Sequence, residues 1–159
     1  MCRLAILGIW ALAGCGVASP VAPSSPTLSP SKAYTIVMPT KALTPGKADT
    51  TSLAIICHTS TDTRRNVTEA TKVKVFAEYH VTTRANYEVD HLIPLAIGGS
   101  NSILNLWPEP ATPVPGFHQK DVLEVKLHDL VCSGKLDVVK AQNQIATDWS
   151  AAYFQYVKP

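Results

Sequence analysis

The chain of 159 residues is short of charge. Charged residues make up 16% of it, where soluble domains average about 25%. Neither sign dominates: 14 Lys and Arg stand against 12 Asp and Glu, a formal net charge of +2. A strongly basic nucleic-acid coat and a long acidic tail are therefore excluded, and at 46% apolar residues so is a fully disordered chain. No segment repeats, and no apolar run reaches the roughly 20 residues of a membrane-spanning helix. Charge is also missing locally, since only Arg3 precedes Lys32. Proline is not scarce but clustered, from Pro20 to Pro45 and again from Pro94 to Pro115. The length suits a single folded domain preceded by something else.

Leu4 to Val17 is an uncharged, mostly apolar run behind Arg3. Its length and flank fit the apolar region of a secretory signal peptide. Leu12-Ala13-Gly14-Cys15 resembles the lipobox of bacterial lipoproteins, which implies cleavage before Cys15 and lipidation of its sulfur. Residues 1–14 are then a signal peptide and the product is an exported, membrane-anchored lipoprotein of the cell envelope. The alternative is an ordinary signal cut near Ala18 and a periplasmic or secreted protein. Residues 15–50 are rich in Pro, Ser and Thr and read as a lipid-anchored tether, with a soft boundary because Tyr34 to Met38 has strand character. From Thr51 onward ten Lys and Arg face eleven Asp and Glu, so the domain at 51–159 is near neutral. The formal positive charge belongs to the front end.

The pattern of the domain is α+β, a hairpin plus helices. Val67 to His80 reads as a helix with Val73, Phe76, Ala77 and His80 on one stripe. Tyr87 to Ile93 reads as a strand, Gly98-Gly99-Ser100-Asn101 as turn chemistry, and Ile103 to Trp107 as the returning strand. Pro108 to Gly116 cannot be helical. His118 to Cys132 reads as a helix whose apolar side is Val122, Leu123, Val125, Leu127 and Leu130, stopped by Gly134. Asp137 is a plausible N-cap for a last helix with Val138, Gln142, Ile145, Trp149, Ala152 and Tyr156 on one face.

Of four cysteines, Cys2 leaves with the signal and Cys15 is lipidated on this reading. Cys57 and Cys132 remain, and in an exported protein they most simply form a disulfide. The rival is a zinc site of Cys57, His58, His128 and Cys132. It is favoured by the i, i+4 placement of His128 and Cys132 and disfavoured by the adjacency of Cys57 and His58, whose side chains diverge.

The chemically informative stretch is Tyr87 to Trp107: an Asp90-His91 pair at a strand end, a Gly-Gly loop, and Asn105 on the return, with His118 opening the next helix. This order of strand, loop, strand and helix resembles the HNH nucleases of the ββα-metal fold. Asn105 follows His91 by 14 positions, a spacing common in those motifs. The flanks, Cys57 to Arg65, Lys120-Asp121 with Glu124, Val131 to Gly134, and Ala141-Gln142 to Trp149, are similar to a group of small, often exported bacterial HNH-like proteins. The resemblance covers nearly all of 55–156 and implies a ββα-metal HNH core with flanking helices.

It also implies roles. A neutral His91 would take a proton from water near pH 7 as general base. Asp90 and His118 would hold one divalent metal, Mg²⁺ first, with Mn²⁺ or Zn²⁺ as alternatives, against the scissile phosphate. Asn105 would tie down the loop that carries His91. Lys120, Arg64 and Arg65 would contact the phosphates of a DNA or RNA substrate, the alternative for the two arginines being surface pairs with Asp62 and Glu69. Glu109 stands where the group is expected to carry Gln and would add negative charge beside that site. One geometric tension is visible in advance: adjacent residues on a flat strand face opposite ways, so Asp90 and His91 reach one phosphate only if the strand bends or ends there. His58, His80 and His128 read as structural, Glu88 as the solvent side of the strand, and Asn66-Val67-Thr68 as a chance sequon. The rival readings are a non-catalytic envelope protein that keeps the fold to bind nucleic acid or a partner, and a zinc-binding structural module. The sequence shows no evident protein partner beyond the membrane contact at Cys15.

Overall fold

A computed structural model describes residues 37–158. The expected signal peptide, the expected lipidation at Cys15 and the expected tether as far as residue 36 lie outside the described residues. The architecture is mixed α and β: three short helices, α1 (Leu53–His58), α2 (Thr61–Arg64) and α3 (Glu69–Glu78), lead into the strand β1 (Tyr87–His91). After a loop with two 3₁₀ turns come β2 (Leu106–Pro110), the long helix α4 (Phe117–Cys132) and α5 (Val138–Tyr156). Among the described residues no helix is long and apolar enough to cross a membrane.

β1 and β2 form an antiparallel hairpin with Asp90 opposite Trp107 and His91 opposite Leu106. The returning strand begins three residues later than the sequence suggests, because Ile103–Asn105 winds into a 3₁₀ turn capped by Ser102. β2 then takes in Pro108 and Pro110. Both strands of a two-stranded sheet are edges, so a residue without an N–H is tolerated there. The loop between them requires glycine at two adjacent places. Gly98 has φ +91°, and a Cβ on Gly99 would sit 1.7 Å from the Ile93 carbonyl oxygen.

The core joins Ile56, Leu92, Ile97, Trp107, Leu123, Leu127, Ile145 and Trp149. The buried stripe of α4 is Lys120, Leu123, Leu127 and Val131. Val122 and Val125, expected on the apolar side, are instead 53% and 64% exposed. α3 is likewise rotated: it buries Val75 and Phe76 and leaves Val73 in solvent. Thr68 of the chance sequon is its N-cap, accepting from the Thr71 N–H. α5 starts at Asp137 as expected, the side chain accepting from Lys140 N at 2.8 Å. It breaks at Asp148 (φ −160°, ψ 93°), whose carboxylate restarts the helix by accepting from the N–H groups of Ser150 and Ala151.

Two features correct or complete the sequence reading. Residues 37–50 are not all tether. Thr44 is fully buried; its hydroxyl donates to the Leu106 carbonyl and accepts from Tyr79 Oη. Gly46 N donates to Leu104 O, and Trp149 Nε1 donates to Val37 O. The folded unit therefore starts at least 14 residues before residue 51. Cys57 and Cys132 are disulfide-bonded, with Cα atoms 5.7 Å apart across 75 residues of sequence. The bond uses both sulfurs that the rival zinc site needs. Reduction should destabilise the protein by about 2–4 kcal/mol through the freed loop, read as a lower urea midpoint with reductant than without.

Candidate functional site

The site is built where β1 ends. Opposed residues in the hairpin share a face, so Glu88, Asp90, Trp107 and Glu109 lie on one side, and Val89, His91, Leu106 and Pro108 on the other. The strand alternation is obeyed through the Asp-His pair. His91 lines a cleft of about 640 Å³ together with His58, Arg65, Asp121, Glu124 and His128. Asp90 lines a second cleft of about 570 Å³, formed with Glu69, Arg84, Glu88 and again Arg65, Asp121 and Glu124. The two residues face adjacent clefts that share those three walls.

His91 is held in one tautomer. Its Nε2 is 3.1 Å from Asn101 Oδ1. That oxygen also accepts from Asn66 N, while Asn101 Nδ2 donates to the Arg64 carbonyl. Backbone groups thus fix which way the Asn101 amide points. Nε2 must be the protonated nitrogen, and Nδ1 keeps the lone pair. Burial of the ring lowers the His91 pKa below its usual value; Asn101 and Asp90 counter this in part, while Arg65 and Lys120 reinforce it. The imidazole is therefore neutral at pH 7.

Asn105 is fully buried and uses its whole amide on backbone. Oδ1 accepts from Ile93 N at 2.9 Å and Lys47 N at 3.2 Å; Nδ2 donates to Ile93 O and Ser100 O, both at 2.9 Å. It clamps the segment just after His91 to the far side of the Gly-Gly loop. Gln142 makes a similar clamp from α5, donating to Thr50 O and Ile97 O.

Lys120 does not reach for phosphate. Its side chain is 0% exposed. The ammonium lies 2.5 Å from Asp90 Oδ2 and 2.8 Å from the His91 carbonyl, and it also bonds Glu124. A lysine has three N–H donors, and these contacts use all of them. Burial opposes its charge, but Asp90, Glu124 and Glu109 hold the pKa well above the usual value. Burial likewise opposes ionisation of Asp90, and the ammonium overrides it, so Asp90 is ionised. Burial raises Glu124 to about 7, against the pull of Lys120. It raises Glu109 well above the carboxylate range. Glu109 is fully buried, with Oε2 3.9 Å from the ammonium.

The residues assigned to a metal do not fit one. Asp90 is bound by an ammonium. His118 sits exposed in the first turn of α4 with its ring against Phe117. Among the described residues no hydrogen bond or ion pair joins it to Asp90, and no group of three or more His, Cys, Asp and Glu is disposed to hold a metal ion. Of the two arginines, Arg65 is exposed and lines both clefts. Arg64 lines neither, and its Nε and Nη2 are buried without partners. His128 Nε2 lies 3.3 Å from the Ile56 carbonyl oxygen and 3.5 Å from Cys132 Sγ, beside the disulfide.

Asn101 was not singled out for the site in the sequence, and Lys120 was expected at phosphate rather than inside the protein. Asn101 read only as a turn former, and nothing in its surroundings marks it further. Lys120 did leave a signal: it lies three residues before Leu123 on the Leu123-Leu127-Val131 stripe, where a charged residue is out of place. Comparison with protein-family models, with curated proteins and with solved structures gives no match.

Proposed function

We propose that the protein is a phosphodiester hydrolase acting on DNA or RNA through an HNH-like ββα core of β1, β2 and α4, with His91 as general base. The observation that carries this reading is the His91 tautomer: Nε2–H is given to Asn101, the ring is neutral, and the lone pair on Nδ1 is free to take a proton. A water deprotonated there would attack the phosphorus and displace the ester oxygen, which leaves with a proton taken up from solvent water. Asn105 keeps the attacking geometry by fixing the backbone at Ile93. Arg65, on the wall shared by both clefts, supplies a fork of donors for the phosphate oxygens. The proposed reaction uses no divalent ion at Asp90, whose carboxylate is already neutralised. An exported lipoprotein anchored at Cys15 remains the proposed setting, in which a near-neutral domain meets its substrate without long-range attraction.

The test is incubation of the full chain with supercoiled plasmid and with single-stranded RNA, in Mg²⁺, Mn²⁺ or chelator, beside a His91→Ala preparation. Nicking or chain scission by the native protein and none by the variant supports the reading. Equal cleavage by both removes His91 as the base, and cleavage by neither favours the non-catalytic binding protein.

A further inference from the structure

An amine and two carboxyl groups meet out of water where β1, β2 and α4 join. Lys120, Glu109 and Asp90 are all buried, and the indole of Trp107, buried as well, shares the hairpin face of the two acids. The Lys120 Nζ lies 2.5 Å from Asp90 Oδ2. Its bonds to Glu124 and to the His91 carbonyl oxygen keep it there. The carboxyl groups of Asp90 and Glu109 are hydrogen-bonded to each other. Two carboxyl groups can bond only through a proton on one of them. Glu109 Oε2 is also 3.9 Å from the same Nζ.

An amine and a carboxylic acid condense to an amide with loss of water. In solution both groups are charged and water drives the reaction backwards. Neither obstacle holds here. Burial penalises each charge of the pair, which brings the neutral amine and acid closer in energy. Groups fixed in contact react as if at effective concentrations of about 10⁵–10⁸ M. The product would lie where no solvent reaches it.

We propose that Lys120 and Asp90 condense into an intramolecular isopeptide bond, with Glu109 as the proton carrier. The ion pair is the precursor. A proton passes from the ammonium to the Asp90 carboxylate. The Nζ lone pair then attacks Asp90 Cγ, and the carbonyl π pair moves onto its oxygen. Glu109 gives its proton to the departing hydroxyl and takes one from Nζ on its other oxygen. The Cγ–O bond breaks, the carbonyl re-forms and water leaves. An ammonium and a carboxylate have become a secondary amide and one water, with Glu109 restored and nothing oxidised or reduced. The bond would tie β1 to α4 across 30 positions of sequence. Unlike the disulfide, it would not be opened by thiols. This inference is independent of whether the protein cleaves nucleic acid.

The full chain is purified folded, then reduced, denatured, digested with trypsin and weighed by mass spectrometry. Between Arg84 and Lys126 the only cleavage point is Lys120. An amide on its Nζ blocks trypsin there. The native chain should therefore yield one peptide, residues 85–126, lighter than its linear mass by one water and giving no sequence ions between Asp90 and Lys120. Lys120→Arg should yield residues 85–120 and 121–126 at their linear masses. Glu109→Gln should leave most of the chain unlinked. A native chain that yields the two linear peptides overturns the proposal whatever the variants do. Loss of the same water in Lys120→Arg places the reaction elsewhere and overturns it too. Full linkage in Glu109→Gln removes Glu109 as the proton carrier.

Discussion

Replacing His91 by alanine is expected to lower phosphodiester cleavage by about 10²–10⁴-fold, the usual contribution of a positioned general base, while leaving the far-ultraviolet circular dichroism unchanged. The pH dependence distinguishes this role from a structural one. Burial depresses the His91 pKa below its ordinary value, so the base form is lost only as pH falls through that depressed value. Activity should rise with pH along a limb whose midpoint lies below about 6.5, the free histidine value. A second limb follows from Glu124, raised to about 7 by its burial. Its ionisation adds a negative charge to the wall shared by both clefts and repels an approaching phosphate, so cleavage should decline above that pH. Glu124→Gln should flatten the descending limb and spare the rising one. Asn101→Ala removes the acceptor for Nε2–H and should lower the rate less than His91→Ala, because the lone pair then divides between two tautomers.

Asn105→Ala is expected to destabilise the fold by about 4 kcal/mol, since it strands several buried backbone groups at roughly 1–3 kcal/mol each. The groups are Ile93 N, Ile93 O, Ser100 O and Lys47 N, of which the first three belong to the loop following His91. Denaturant melts of the variant measure the loss. Asn105→Asp is the informative companion. A carboxylate can accept from Ile93 N and Lys47 N but cannot donate to the two carbonyls, so it should lose nearly as much as alanine. A destabilisation near zero for either variant would show that the loop is held by its backbone alone.

Much of the fold was legible because local signals and burial agreed. The Asp137 N-cap, the burial of Leu123 and Leu127 on α4, and the pairing of Cys57 with Cys132 are of this kind. The errors arise where a residue's usual meaning is overridden. The returning strand was expected over Ile103 to Trp107, but an edge strand accommodates Pro108 and Pro110, and it slid three residues along. Val122 and Val125 read as core because they are apolar. The stripe passes instead through Lys120, whose charge is satisfied inside the protein. At the site, the loop-fixing bonds of Asn105 follow from its type and position, as does the role proposed for His91. The partner of His91 does not, because Asn101 acts through its fixing by Arg64 and Asn66, more than 30 residues earlier in the chain. Residues 37–50 look like spacer in composition, and long-range bonds, those of Val37, Thr44, Gly46 and Lys47 among them, place them in the domain.

The Cys57–Cys132 bond also closes a ring in the covalent sense. Arg65, Asp90, His91, Asn101, Asn105, His118, Lys120 and Glu124 all lie between its ends in sequence. A protease that cuts once anywhere inside this ring, for instance at the exposed residues Thr112 to Val114, opens the ring but releases no fragment. The two pieces stay joined and every group of the site stays on the same molecule. In a compartment that contains proteases, loss of the site by a single cut would require the disulfide to be reduced as well.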